Sequence, residues 1–218
     1  PPGLGKSFTV EKKLEEWDPN GNSYSIIKGY VRATGLYKTL WQNRFPGNVV
    51  VFDDADSVFF DDTSLALLKA VCDTTEKRRV HWLSEGTLVD EESATVIDRS
   101  FEFEGTIIFI TNYDFDAMIE RGHKLAAHLE ALMSRAHYID LSMKTRRDYL
   151  VRIRQVVDNG LLSSMGLDKT QEEDVMKFID QNQDKLRELS IRIAIKVAAL
   201  RKTNDKWDRV ARVTCCKN

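Results

Sequence analysis

The chain opens on Pro1-Pro2-Gly3-Leu4-Gly5-Lys6-Ser7, and few stretches of this length restrict a fold as much. Gly5, Lys6 and Ser7 complete the pattern G-x-x-x-x-G-K-[ST], whose first glycine falls one position before Pro1. In such a loop, backbone N–H groups of a glycine-rich turn at a helix N-terminus surround the oxygens of a phosphate. Gly3, Leu4, Gly5, Lys6, Ser7 and Phe8 are therefore the expected phosphate-binding set. Lys6 is expected to reach the β- and γ-phosphates of a nucleotide, and the Ser7 hydroxyl to ligate Mg²⁺. The loop requires a helix behind it, and Phe8 to Trp17 has helical character with no breaker before Asp18-Pro19. Taken alone, the same residues also read as a Gly/Pro turn before an ordinary helix.

Strand-like and helical segments then alternate. Asp18-Pro19-Asn20-Gly21-Asn22 is a turn cluster, and Ser23 to Tyr30 reads as a strand. A helix through Trp41 ends before Pro46-Gly47. Val49-Val50-Val51-Phe52 is a continuous apolar run ending in Asp53-Asp54. Such runs are strands buried on both faces of a parallel sheet. Asp61-Asp62-Thr63-Ser64 starts a helix with Leu65, Leu68 and Val71 on one face. Arg79 to Leu83 and Ser100 to Glu104 read as a hairpin-like excursion. Thr106 to Thr111 is another buried strand, ending at Asn112. A helix with Leu125, Leu129 and Leu132 leads to Ser134-Arg135, and His137 to Leu141 reads as a last strand. The alternation predicts an α/β protein with a parallel sheet.

From Lys144 the character changes. Arg146 to Val157, Lys169 to Gln181 and Leu186 to Lys202 read as helices, continued by Trp207 to Val213. Charge changes with it: residues 144–218 carry 17 Lys and Arg against 11 Asp and Glu, a net +6, whereas the first 143 carry a net −8. Two modules are expected, 1–143 and 144–218. With 218 residues, 42% of them hydrophobic, the chain can bury a sizeable core. No apolar run approaches the ~20 residues of a membrane span. Cys72, Cys215 and Cys216 form neither a disulfide framework nor a zinc spacing, so a reducing, cytoplasmic setting is expected. His81, His123, His128 and His137 show no metal-binding spacing, and Lys77-Arg78-Arg79 reads as a solvated turn rather than a nucleic-acid patch.

The two acids after the apolar run sharpen the opening loop. A carboxylate at Asp53, beside Ser7, suits the water shell of Mg²⁺. Asp54 stands where a base could orient or polarise an attacking water. By themselves, two acids after a strand can also be a turn or a helix cap.

Together these pieces resemble an AAA+ ATPase, of the P-loop NTPase superfamily, over essentially the whole chain. PPGLGKS is similar to the Walker A motif, VVVFDDAD to Walker B, and IIFITN to the strand that carries the sensor 1 residue. ALMSRAHYIDL is similar to the arginine-finger segment, and LSIRIAIKVA to the start of the sensor 2 helix. Most members carry Asp-Glu in Walker B, where this chain has Asp53-Asp54. The resemblance implies a parallel sheet in the order 5-1-4-3-2 with a C-terminal helical lid, and nucleotide bound at the carboxyl ends of the strands. It puts the first strand, in the middle of that sheet, before Pro1, so the 218 residues by themselves are expected to fold poorly or bind nucleotide weakly.

The resemblance also implies roles. Asn112 would position the lytic water, and Arg135 would reach the nucleotide of a neighbouring subunit. Arg192, favoured over Arg187, would contact the γ-phosphate of its own subunit; Arg99 and Arg121 are further cations near the expected interface. Gly35-Leu36-Tyr37 falls where ring ATPases carry a pore loop, and reads equally as a helix start with Tyr37 in the core. The implied cofactors are ATP and Mg²⁺, and the implied assembly is a homo-oligomer, a hexameric ring that remodels or translocates a protein or nucleic acid. A nucleotide-gated scaffold on DNA, similar to a clamp loader or initiator, is the alternative.

Overall fold

The apolar run at 49–52 is the middle strand of a parallel sheet. The structure is a computed structural model that describes residues 3–91, 93–141, 143 and 145–217. The chain forms two compact units. The boundary lies between Ile139 and Asp140, and the described residues of 1–6 belong with the C-terminal unit.

In the first unit, α1 (Lys6–Trp17) is followed by β1 (Tyr24–Lys28), α2 (Ala33–Gln42) and β2 (Val49–Asp53). A 3-10 turn (Asp56–Phe59), α3 (Asp62–Val71), β3 (Arg79–His81), β4 (Ser100–Glu102), β5 (Thr106–Ile110), α4 (Phe115–Glu120) and α5 (Ala126–Met133) complete it. The sheet runs β1-β2-β5, all parallel, with Ile26, Val51 and Ile108 in register. Side chains alternate across it. Val51 and Ile110 pack with Leu14 of α1 on one face. Val50 and Phe52 pack with Leu36, Leu40, Leu65, Leu68 and Leu129 on the other. Covering both faces is what permits four consecutive apolar residues in β2. Asp61 caps α3, its carboxylate accepting from Ser64 N at 2.8 Å.

The excursion between α3 and β5 forms as expected, β3 pairing antiparallel with β4. It is tied to α2. Tyr37 Oη donates to the Asp98 carbonyl (2.7 Å), Trp41 Nε1 to the Asp98 carboxylate (3.1 Å), and Gln42 Nε2 to Asp90 (3.0 Å). The Tyr37 ring lies 5.4 Å from that of Trp82 and 5.2 Å from that of Phe101.

One expectation is corrected. Four strands of the five-stranded order were expected within the chain, and the parallel sheet has three among the described residues. Residues 137–141 are not a strand. A strand-like pattern becomes a strand only where its backbone joins a ladder, and among the described residues this segment joins none. Of the two readings open at Gly35-Leu36-Tyr37, the structure shows the helix start with Tyr37 in the core. These residues lie inside α2, and Leu36 and Tyr37 are fully buried. The segment is a core helix, not a polymer-gripping loop.

The second unit is helical: α6 (Arg146–Asp158), α7 (Leu161–Ser164), α8 (Lys169–Asn182), α9 (Ile191–Thr203) and α10 (Trp207–Cys215). Reciprocal side-chain to backbone hydrogen bonds open two of them, Thr145 with Asp148 at α6 and Asp168 with Gln171 at α8. Leu162, Val175, Ile179, Ile193 and Val197 fill the core. The helix expected from Leu186 starts later, at Ile191. Leu186 is bridged to Cys216, and the Ser190 side chain accepts from Ile193 N, so Ser190 is the cap. No helix among the described residues is long and apolar enough to cross a membrane.

Leu36→Ala is expected to lower the unfolding free energy by about 3 kcal/mol in urea titration, as for a buried leucine; a solvent-facing Leu36 would lose almost nothing. Burial, and then the charge of Asp98, push the Tyr37 phenol up to about 12 from 10.0. The folded state keeps this proton while the unfolded chain loses it, so stability declines as pH rises from about 10 to 12. Tyr37→Phe is expected to remove that share of the alkaline loss, read from denaturation midpoints across the same range.

Candidate functional site

The opening loop is held in the helical unit. Gly3 (φ 77°) and Gly5 (φ 75°) are both left-handed, a conformation that glycine adopts without steric cost. Space gives a second reason for them. A Cβ on Gly3 would meet Ser190 Cβ at 2.7 Å, and one on Gly5 would meet Ile191 Cδ1 at 2.9 Å. The Gly3 carbonyl accepts from Ile191 N (2.8 Å), and the Leu4 carbonyl from Arg152 Nε (3.3 Å). Leu4 is buried, and α1 begins at Lys6. Arg192 is exposed on the first turn of α9, its Cγ 3.9 Å from where a Gly3 Cβ would stand. Gly3, Leu4, Gly5 and Arg192 therefore come together. Arg187, the competitor, precedes the helix, and its N–H pairs with the Cys215 carbonyl.

The α/β unit assembles a second group at the ends of β2 and β5. Ser7 Oγ donates to Asp53 Oδ1 at 2.7 Å. Asp53 is 4% exposed, and Lys28 Nζ lies 3.7 Å from its other oxygen. Asp54 is exposed and left-handed (φ 52°), with its N–H donating to the Ile110 carbonyl at 3.0 Å. A left-handed non-glycine residue is strained. Here it ends the strand and turns the carboxylate toward Asn112, whose Nδ2 donates to Asp54 Oδ1 at 3.0 Å. Phe8 is half-exposed on α1.

Arg135 stands apart from this group. Its Nη1 donates to the Ala131 carbonyl (2.6 Å), and its Nε lies 3.8 Å from Asp73. Asp73 follows the C-terminal end of α3. There Arg78 donates to the carbonyls of Val71 (3.2 Å) and Gly105 (3.1 Å), and Gly105 immediately precedes β5. Asn112 follows the other end of β5. Arg135 is thus separated from Asp54 and Asn112 by roughly the length of a five-residue strand, on the order of 15 Å.

Two of the remaining cations, Arg78 and Arg79, have structural partners. Arg78 bonds backbone carbonyls, and Arg79 pairs with Glu102 at 2.9 Å. Arg121 lines a pocket of about 430 Å³ with Asn112, Tyr113 and His123. His123 Nδ1 accepts from Leu125 N, and His128 Nδ1 lies 3.2 Å from Lys69 Nζ. No cluster of three His, Cys, Asp or Glu that could hold a metal occurs among the described residues. Ser7 and Asp53 nonetheless fit Mg²⁺. Both offer hard oxygen donors, and Mg²⁺ is bound through one or two such side chains with phosphates and waters supplying the rest. Arg152 is the neighbour of the loop that the sequence did not reveal, because its partner is a backbone carbonyl.

No protein-family model matches the chain, and no solved structure matches it. A phage protein does. The chain is 37% identical over 212 residues to an uncharacterized 36.7 kDa protein in the nrdC-mobD intergenic region of Enterobacteria phage T4. The match takes in 96% of this chain, so it runs through both units, and 64% of the relative. The chain therefore spans under two thirds of that relative's length.

The strain at Asp54 has a measurable consequence. Asp54→Gly is expected to be at least as stable as the wild type, while Asp54→Ala loses about 1 kcal/mol in urea titration, since alanine bears the left-handed conformation poorly. Equal stability of the two variants would contradict a strained Asp54.

Proposed function

We propose that the protein binds and hydrolyses ATP as an AAA+-type subunit of a homo-oligomeric ring, with a catalytic site shared between neighbouring copies. The observation that carries the reading is the Ser7–Asp53 hydrogen bond. It joins a serine at the end of a glycine-lysine-serine loop to a buried carboxylate at the end of an apolar strand, 46 residues away. The strand order supports it as well, since β1-β2-β5 corresponds to strands 2, 3 and 4 of the order 5-1-4-3-2.

Each residue has a task in this reading. Amides of Leu4, Gly5 and Lys6 and the Lys6 ammonium bind the phosphates. Ser7 and Asp53 would hold Mg²⁺, which would supply charge neutralisation at the phosphates. Asp54, held by the Asn112 amide, takes the proton of the attacking water or orients it in line. Arg192, beside the loop, offers a cation to the γ-phosphate. Arg135 lies a strand's length from its own Asp54–Asn112 pair, which supports a role at the neighbouring copy's nucleotide, where a guanidinium stabilises the charge of the transition state. The work done with this turnover is remodelling or translocation of a macromolecule, in a cytoplasmic setting.

ATP hydrolysis by the full-length protein tests this. Lys6→Ala and Asp54→Asn are each expected to lower kcat about 100-fold or more. Arg135→Ala is expected to be as inactive by itself. Mixed with Lys6→Ala it is expected to recover part of the activity, because some interfaces then join an intact Lys6 to an intact Arg135. Unchanged rates in Lys6→Ala and Asp54→Asn would overturn the mechanism. Failure of the mixture to recover activity would overturn the shared site alone.

A further inference from the structure

The opening loop shows its carbonyls to the helical unit. The Gly3 carbonyl takes the Ile191 N–H, and the Leu4 carbonyl takes Arg152 Nε from the second turn of α6. In a trans peptide the carbonyl of one residue and the N–H of the next point in opposite directions. Fixing the Gly3 carbonyl therefore fixes the Leu4 N–H, which points away from α9. Fixing the Leu4 carbonyl fixes the Gly5 N–H, which points away from Arg152. Those two N–H groups belong to the set that would surround a phosphate. Nothing in the loop's own covalent structure fixes their direction, because glycines on either side of Leu4 leave the peptides free to rotate. The fixing comes from outside, and for the Gly5 N–H the outside group is a side chain.

We propose that Arg152 is a positioning residue of the phosphate loop: by holding the Leu4 carbonyl it aims the Gly5 N–H at the bound phosphate. The inference rests on the reading of the loop as an ATP site. It adds a second element, α6, to those that shape it, and assigns the guanidinium a task at the backbone rather than at the nucleotide. A charged donor suits the task, since hydrogen bonds from ionised groups are stronger than neutral ones. Lysine at this position can supply one donor but not the fixed planar fork of arginine.

The test uses the full-length protein with ATP and Mg²⁺, comparing wild type, Arg152→Ala, Arg152→Lys and Lys6→Ala. Arg152→Ala is expected to raise KM for ATP about tenfold with kcat within about twofold, as uniform loss of ground-state and transition-state binding requires. Arg152→Lys is expected to recover part of that loss. Amide hydrogen exchange without nucleotide is expected to quicken at Gly5 and Lys6 in Arg152→Ala while the α8 and α9 amides keep their protection, which separates a loosened loop from a loosened unit. Should Arg152→Ala fail to fold, a KM for Arg152→Lys equal to that of the wild type overturns the proposal, and a raised one supports it. Wild-type KM in Arg152→Ala, with binding lost in Lys6→Ala, overturns this inference and leaves the ATP site standing. Absence of ATP binding by the wild type overturns both.

Discussion

The Ser7–Asp53 hydrogen bond is the contact on which the rest of the candidate site depends. A carboxylate that is 4% exposed at the end of an apolar strand is costly to bury without a partner. Here a hydroxyl and a nearby lysine compensate it. The strand can be so apolar only because helices cover both faces of the sheet. The hydroxyl arrives on the first turn of α1, the helix that covers one of them. Core packing and site chemistry thus share one pair of elements. Displacing α1 would remove Leu14 from the sheet and Ser7 from Asp53 together.

The polar groups fall into two sets, one in each unit. Asp54 and Asn112 stand at the strand ends of the α/β unit, bonded to one another. Gly3, Leu4, Gly5, Arg152 and Arg192 meet in the helical unit. The loop's glycines are shaped within the helical unit, and Ser7 belongs to the α/β unit. Arg135 meets the Ala131 carbonyl and Asp73 instead.

Much of this was legible in the sequence because the signals are local. The glycine-lysine-serine run, the apolar run with two acids behind it and the excursion at 79–102 each carry their meaning within a few residues. The sequence is less legible where the deciding partner is distant. Residues 137–141 have a strand's pattern whether or not a neighbour exists to pair with it. Tyr37, following a glycine near a helix start, looks the same exposed or buried until Asp98 is seen to accept its hydroxyl. Arg187 and Arg192 look alike in sequence until Ser190 is seen to cap the helix after one and before the other. Arg152 gave no sign, since it is one of several cations on α6 and its partner is a carbonyl that any residue could provide.

The tie between α2 and the excursion bears on how the chain reaches its native state. Tyr37 and Trp41 meet Asp98 across 61 and 57 residues. The parallel pairing of β2 with β5 likewise closes over the whole of α3 and the excursion. Loops of this span form late, because their closure entropy is lost before the contacts that compensate it are made. Early in folding α2 would therefore present Leu36, Tyr37 and Leu40 uncovered. Closure of the hairpin over Tyr37 would then be the step that takes this apolar surface out of water.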